Sequence, residues 1–527
     1  MLGFVPIFIL LGAAIAGIIL QFVPRGTGVA WFASVLFAIS AWGMVIILRT
    51  RLPLPFAGQN WISLGIKSLI PAFQINIITW PFALTICSLV AGVLLVSSAR
   101  IGLDSSPREW VGILLVGIFG YLGVIASNIL TAIFVMGFID VVEIVILLYS
   151  PSGNSETQSQ LKVILWRIIG LTLFLVAYGW QYALSERSDE WLTLQTGPVH
   201  LILFACAIRL GLFPTLGLSG VPRTSENGFY VLRSLIASMM VFAIIVQLPF
   251  FTFSAIWKIV ILVYLLITAT SAAIVVAVNQ NHGLLLSGWQ IAAGSLICAA
   301  YVLGYSPADI ALSTSIITLG AILFLEYPIN LFSRVLGFTA LIGFSGLPFT
   351  PNILGFSGFG LSRDFPGILF LIPVTLLLFS SIRILLTKKS IENTAAERWT
   401  GILSPAGLII PIISVWVVFL NGIPGNNLFQ VSIPALLAVI VCIGLLVITK
   451  FNIIDLKFIT ANLFRKLSDL VYSLSAIIEI IRKSLKTAIQ FPFILVINLF
   501  EGEGGILWAA LSLILIMTIV RSMGLVP

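Results

Sequence analysis

The chain of 527 residues is 60% hydrophobic and only 9% charged, with a mean hydropathy of +1.16 and a formal net charge of +8. A soluble domain of that length cannot hide so much apolar side chain, because the surface of a folded chain grows too quickly relative to its volume. The composition describes a polytopic membrane protein. Its positive charge, gathered in loops and one C-terminal segment, follows the positive-inside rule and gives no sign of nucleic-acid binding.

Apolar stretches of spanning length, roughly 20 residues each, recur about sixteen times. The first, 2–22, lacks a basic leading region and a small-residue cleavage site, and is expected to be a retained helix rather than a signal peptide. Spans at 29–49 and 75–98 follow. Those at 110–126 and 128–150 are so close that they form either a tight helical hairpin or one continuous run. The series continues at 163–184, 196–214, 229–250, 254–278, 284–304, 308–331, 335–354, 365–387, 402–421 and 431–449. The next segment differs in kind. Lys466, Asp469, Ser473, Glu479, Arg482, Lys483 and Lys486 recur at helical spacing among Leu, Ile and Phe, which predicts a long amphipathic helix along a membrane face or along other helices. A membrane-surface linker is the plainer alternative for it. Pro492 interrupts the pattern, and Glu501-Gly-Glu-Gly-Gly505 leads into a last span at 505–521.

One stretch carries more information than the rest. Phe204-Ala-Cys-Ala-Ile-Arg-Leu-Gly-Leu-Phe-Pro214 puts an obligate cation, Arg209, into an apolar run and follows it with a helix-breaking proline. A guanidinium at bilayer depth costs about 3 kcal/mol on insertion scales unless it meets an anion, a carbonyl or water. An interrupted helix beside a charge is one way to line a polar cavity in a membrane; snorkelling from a helix end is the bland alternative. The ionisable residues inside or near the spans are Asp140, Glu143, Arg209, Arg233, Lys258, His282, Glu326 and Arg383. Asp140 and Glu143, three apart on one helix face, are placed to pair with Arg209 if the fifth and seventh helices meet. Such a group reads either as an ion-path gate or as a buried pair that stabilises the bundle. Lys258, His282 and Glu326 lie near helix ends, where boundary snorkelling is the simpler account. Cys87, Cys206, Cys298 and Cys442 each stand alone in apolar runs, so neither a metal centre nor a disulfide framework is expected. No nucleotide loop or nucleophile–base pair points to catalysis, and two histidines are too few to suggest haem. No cofactor is expected.

Three pieces, in order, resemble the antiporter-like membrane subunits of respiratory complex I and the related Mrp-type cation/proton antiporters. Arg209-Leu-Gly-Leu-Phe-Pro214 resembles the lysine-x4-proline of a broken helix. Gly228-Phe-Tyr-Val-Leu-Arg233 resembles the Gly-x-Tyr-Leu-x-x-Arg that follows it. Gly343-Phe-Ser-Gly-Leu-Pro-Phe-Thr-Pro-Asn-Ile-Leu-Gly-Phe356 resembles the stretch around a second broken helix. The resemblance implies an all-α bundle of about 14–16 transmembrane helices, with two inverted five-helix repeats and a late lateral helix. Pro214 and the pair Pro348 and Pro351 would mark the two helix breaks. The implied division is N-terminal helices over 1–109, a first repeat over 110–250, a second over 251–390, C-terminal helices over 391–450, the lateral helix over 451–500 and a last span over 501–527.

Departures from that pattern fall on the proton-carrying positions. Gly137 stands where the family has a glutamate in its fifth helix, with Asp140 and Glu143 further along. The lysine of the first broken helix is Arg209, which keeps the charge but does not release a proton at ordinary pH. In Gln280-Asn-His-Gly-Leu-Leu-Leu-Ser287 the family's aspartate has become Asn281 and its lysine Gly283, leaving His282 as the titratable group. Ser313 to Phe324 lacks the expected histidine and lysine, and Phe359 replaces another lysine. The resemblance therefore implies a membrane subunit of a complex-I-like or Mrp-like assembly, tied to proton or monovalent-cation movement but with a depleted set of charges. Its expected surroundings are other membrane subunits and the lipid of a bacterial cell membrane. In an NADH dehydrogenase-like complex it would be a subunit of the respiratory chain without a catalytic site of its own. The competing classes are the membrane component of a two-component inorganic-carbon transporter and a non-conducting structural subunit.

Orientation follows from the lysine and arginine bias. Lys388, Lys389, Arg398, Lys450, Lys457, Arg465 and Lys466 fall on one side with Arg100, Arg108, Lys162, Arg167 and Arg334, while the acidic 186–190 loop falls on the other; Arg49, Arg51 and Lys67 oppose the trend. Both termini are then expected outside. A cysteine placed at Lys389 should react with impermeant maleimide only from the cytoplasmic side, and labelling only from outside overturns the orientation.

Overall fold

The computed structural model describes residues 2–22, 27–57, 71–100, 107–149, 154–184, 191–213, 228–250, 253–279, 281–304, 306–325, 327, 330–357, 359, 365–388, 400–422 and 428–450. Met1–Phe451 forms one compact unit; the remainder, with the expected lateral helix and last span, lies outside the described residues. Among the described residues the protein is a helical membrane bundle, with eight helices long and apolar enough to cross a bilayer and five shorter apolar ones.

The chain opens with α1 (Val5–Leu20), α2 (Thr27–Leu48) and α3 (Trp80–Val96). Every side chain of α3 is buried. It is held by two tryptophan indoles that find buried carbonyls, Trp31 Nε1 donating to Leu94 O and Trp80 Nε1 to Val45 O, both at 2.8 Å. Between α2 and α3, β1 (Leu54–Ala57) and β2 (Ala72–Ile75) pair antiparallel, the one departure from helix among the described elements. Strand β2 also ties down the turn between α4 (Pro107–Val124) and α5 (Ile129–Tyr149): Gln74 N donates to Ile125 O at 2.7 Å and Ser127 N to Ala72 O at 3.0 Å. Trp191 Nε1 reaches Ala126 O in the same turn at 2.9 Å. The two spans that the sequence leaves without a spacer are thus a tight hairpin. Its polar turn atoms are satisfied by β2 and an indole.

The bundle continues through α6 (Asn154–Leu184), α7 (Thr196–Arg209), α8 (Gly228–Gln247), α9 (Ala255–Val278), α10 (His282–Leu303), α11 (Ser306–Phe324) and α12 (Leu331–Phe344). Two short helices, α13 (Ile353–Ser357) and α14 (Phe365–Leu369), precede α15 (Leu371–Thr387), α16 (Thr400–Ala406), α17 (Ile409–Asn421) and α18 (Leu428–Lys450). Small residues bring helices close, as membrane packing requires. A Cβ on Gly117, Gly120 or Gly123 of α4 would stand 2.5, 2.4 or 2.0 Å from Val90, Ile236 or Met240 of α3 and α8. The outward face of α9 is apolar in the opposite sense: Ile256, Trp257, Ile259, Val260, Val263 and Ile267 are exposed, while Ala269, Ala272, Ala273 and Val276 are buried. In a bilayer the exposed face meets lipid.

Two helices stop inside the bundle. Helix α7 ends at Arg209 with Gly211 at φ +74°, where Gly211 N donates to Ile208 O at 3.0 Å and Leu212 N to Ala207 O at 2.9 Å. That is the Schellman arrangement, in which a left-handed glycine satisfies the last carbonyls. The stop therefore precedes Pro214, which itself lies outside the described residues. Helix α12 ends at Phe344, and an irregular stretch through Pro348 and Pro351 leads to α13, with Gly346 at φ +69° and Phe349 at +64°. Here Asn352 returns both its groups to the freed end of α12, its backbone N–H donating to Gly343 O at 3.1 Å and its side-chain amide to Phe344 O at 2.9 Å. Both glycines adopt a conformation that costs other residues about 1–2 kcal/mol, but only one is crowded. A Cβ on Gly346 would lie 2.3 Å from the Phe356 ring, whereas one on Gly211 meets nothing nearer than Ile291 at 3.9 Å. Gly346→Ala should therefore lower the melting midpoint in detergent clearly more than Gly211→Ala does, and equal shifts refute that account of the second break.

Candidate functional site

The acids and cations singled out on α5, α7 and α8 converge, and α6 contributes a partner. Asp140 and Glu143 lie one turn apart on α5. Arg209 grips Asp140 with both terminal nitrogens, Nη1 to Oδ2 at 2.9 Å and Nη2 to Oδ1 at 3.1 Å, in the bidentate geometry that suits a guanidinium and a carboxylate. Its Nη1 also donates to Arg167 O on α6 at 3.0 Å. Glu143 takes a different cation. Arg167 Nη1 donates to its Oε2 at 2.6 Å, while Arg233 Nε of α8 stands 3.6 Å from Oε1, and neither Oε1 nor that Nε has a hydrogen-bond partner among the described residues. The Arg233 guanidinium lies 5.2 Å from the Tyr230 ring centroid. The side chains of Asp140, Arg209 and Glu143 are no more than 5% exposed, so solvent screens these charges little.

Local sequence explains how four helices meet there. Arg209 is the last residue of α7, where the carbonyl end of the helix favours a cation. Its side chain crosses α6 at Gly170, where a Cβ would stand 2.6 Å from Arg209 Cγ. Arg167 lies one turn earlier on α6 and so covers the same face. Within the described residues, three guanidinium groups surround two carboxylates, an excess of one positive charge.

Arg167 is missing from the sequence candidates: it falls inside the expected span 163–184 but counts there only toward the basic cytoplasmic bias, and in the structure it lies in α6, in the second turn of the apolar span Val163–Leu184. Two acids on α5 with one arginine assigned to them left a charge to be matched, and the nearest arginine in the next span was the available signal. The other candidates do not join the cluster. Arg383 of α15 donates through Nη2 to Val276 O at 3.2 Å and Asn279 O at 2.6 Å, holding the carbonyl end of α9. Lys258 is in the first turn of α9 and His282 is the first residue of α10, both at helix ends. Glu326 lies outside the described residues. Asp309, in the first turn of α11, is fully buried and neither carboxylate oxygen has a hydrogen-bond partner among the described residues. No group of three metal-ligating side chains occurs among the described residues.

No family model and no curated protein matches the sequence. Solved structures do match. A chain of the Mrp complex from Dietzia sp. DQ12-45-1b is similar at a TM-score of 0.69 and 14% identity, covering 99% of this chain, which spans 63% of that chain's length. A chain of the membrane-bound sulfane sulfur reductase, an archaeal respiratory membrane complex, is similar at a TM-score of 0.63 and 15% identity over 98% of this chain and 100% of its own. A chain of the respiratory complex I from Thermus thermophilus is similar at 0.58 and 13% identity over 79% of this chain and 98% of its own. The protein has the fold of the antiporter-like membrane subunits of such assemblies.

Breaking either buried pair strands a charge, which typically costs about 3–5 kcal/mol, whereas removing both partners costs less than the two single losses together. Arg209→Met and Asp140→Asn should each sharply reduce folded yield in detergent, and the double variant should fall short of the sum. Gly170→Ala should imitate Arg209→Met by displacing that side chain. Simple additivity, or an unaffected Gly170→Ala, removes the pairing from the account of stability.

Proposed function

We propose that the chain is an integral membrane subunit of a larger complex-I-like or Mrp-like assembly, and that the α5–α8 cluster is the charge element through which it takes part in proton or monovalent-cation translocation. Other membrane subunits are its partners, and a cell membrane is its place. One observation carries the reading: Glu143 sits between two cations from different helices, bonded to Arg167 and within 3.6 Å of Arg233, beside the helix stop at Arg209. A carboxylate with two such neighbours has two discrete arrangements, and exchange between them moves charge without breaking the fold. Guanidinium groups do not release protons at working pH. Coupling here runs through exchange of ion-pair partners, with Asp140 and Glu143 as the groups able to take up a proton.

The division into repeats over 110–250 and 251–390 belongs to the same proposal. It is supported by the two internal helix stops, each followed by a left-handed glycine, Gly211 or Gly346, ahead of a proline. The use of arginine for all three cluster cations favours one other reading, a non-conducting subunit whose charges only hold the bundle together.

Reconstituted vesicles separate the two. Glu143→Gln keeps the shape of the side chain and removes its charge; it strands Arg167 and Arg233 and so lowers folded yield, and flux normalised to the folded protein recovered should fall about a hundredfold or more, in line with losing a proton-transfer group. Flux equal to that of the unchanged chain, with the same protein content, leaves the structural reading standing. Gentle solubilisation of the native membrane should also retain co-purifying membrane subunits, and a monodisperse single chain contradicts the assembly.

A further inference from the structure

The carbonyl end of α11 is closed by a lysine ammonium. The last carbonyls of a helix have no intrahelical donor, and the end carries the negative pole of the helix dipole. At α11, which stops at Phe324, two of these oxygens and that of the next residue, Leu325, turn toward one point. Lys388, immediately after α15, places Nζ there: it donates to Ile322 O at 3.3 Å, Leu323 O at 3.1 Å and Leu325 O at 2.5 Å. A fourth side is closed by Tyr327, whose ring centroid is 3.9 Å from Nζ and whose hydroxyl donates to Ile322 O at 3.1 Å, which fixes the ring. Tyr327 is 2% exposed.

Three converging carbonyl oxygens and an aromatic face form a ligand set for a small monovalent cation. The carbonyls replace a hydration shell, and the ring adds its quadrupole. The contrast with Arg383, on the same helix, is instructive. Its planar guanidinium holds the end of α9 through one nitrogen and two carbonyls, a clamp and not a cradle. A compact ammonium with three rotatable donors suits convergent oxygens; a guanidinium does not.

We propose that the carbonyl end of α11 is a monovalent-cation site whose resident occupant is the tethered ammonium of Lys388. Because Lys388 is part of the chain, its ammonium is present at high effective concentration. A free ion therefore does not displace it, and the closed end of α11 is independent of the surrounding salt. Shortening the side chain converts the cradle into an open site for ammonium or potassium. The proposal uses none of the α5–α8 residues, and its test measures no transport, so it stands or falls apart from the functional reading.

The experiment uses the full chain in detergent at constant ionic strength, in choline, sodium, potassium or ammonium chloride. The unchanged protein should melt at the same temperature in all four salts. Lys388→Ala should melt several degrees higher in ammonium or potassium than in choline, whose bulk excludes it from the cradle. Lys388→Met, whose chain fills the space without charge, should not discriminate between salts. A Lys388→Ala chain that folds only when solubilised in ammonium or potassium supports the site equally. Lack of discrimination in Lys388→Ala, the same discrimination in Lys388→Met, or failure of Lys388→Ala to fold in every salt overturns it.

Discussion

The bundle depends on a charge-balance constraint: arginines drawn from three helices must be neutralised where water is scarce, and α5 supplies both acids. Asp140 and Glu143 lie on one face of α5, so α6 and α7 must present Arg167 and Arg209 to that face at bonding distance. Each pair then fixes a rotation as well as a distance. A bidentate guanidinium–carboxylate pair tolerates little twist, and Gly170 leaves room for Arg209 in one register of α6 against α7. Apolar packing alone is weakly directional in a membrane, because lipid tails are as apolar as leucine. The ion pairs supply direction. The desolvation they demand means that their contribution to net stability is smaller than their contribution to selecting this arrangement.

Elsewhere the fold disposes of backbone polarity locally. Most buried hydroxyls turn back onto their own helix: Ser34 Oγ donates to Ala30 O and Thr85 Oγ1 to Pro81 O, each at 2.8 Å. Helix ends inside the bundle are closed by the left-handed Gly211, by Asn352, or by Arg383 of α15 and Lys388 just beyond it. Of nine buried side-chain polar atoms without partners among the described residues, four lie on Ser98, Trp110, Glu143 and Arg233, and five lie on or beside α11. Asp309, Ser313 and Thr318 on α11, and Asn352 Oδ1 at the neighbouring break, all have buried atoms without hydrogen-bond partners among the described residues. Unsatisfied atoms are costly in a low dielectric, and α11 carries four of the nine.

Much of this was legible in residue order. The apolar runs predicted nearly every helix, since spanning length and hydrophobicity are strong local signals. The Arg209 anomaly pointed to α5 because a buried cation requires an anion, and two acids stood at helical spacing in a neighbouring span. Other features were illegible for specific reasons. Arg167 sits near the start of the 163–184 span, where a basic residue reads as part of the positive-inside bias; only tertiary packing shows that its guanidinium turns to Glu143. The stop of α7 was credited to Pro214, a residue with a loud sequence signal. The structure closes the helix at Gly211, whose left-handed conformation lets Gly211 N reach Ile208 O and Leu212 N reach Ala207 O. The β-hairpin escaped because four-residue strands carry no periodicity to read. Lys388 counted toward orientation only, since nothing in its neighbourhood announces carbonyls contributed from more than sixty residues away.

The choice of arginine has a consequence for any transport role. A lysine in a buried pair has two accessible charge states once its partner moves, so its protonation can follow the geometry. An arginine has one. In the α5–α8 cluster the cations therefore act as fixed positive charges on separate helices, and the variables are which carboxylate each guanidinium faces and whether that carboxylate is protonated. Protonating Glu143 would release Arg167 and Arg233 together, because both face it, whereas protonating Asp140 would release Arg209 alone. The two acids are thus unequal. In the proposed transport role Glu143 would be the point where one proton changes the pairing of two helices, while Asp140 holds Arg209 at the end of α7.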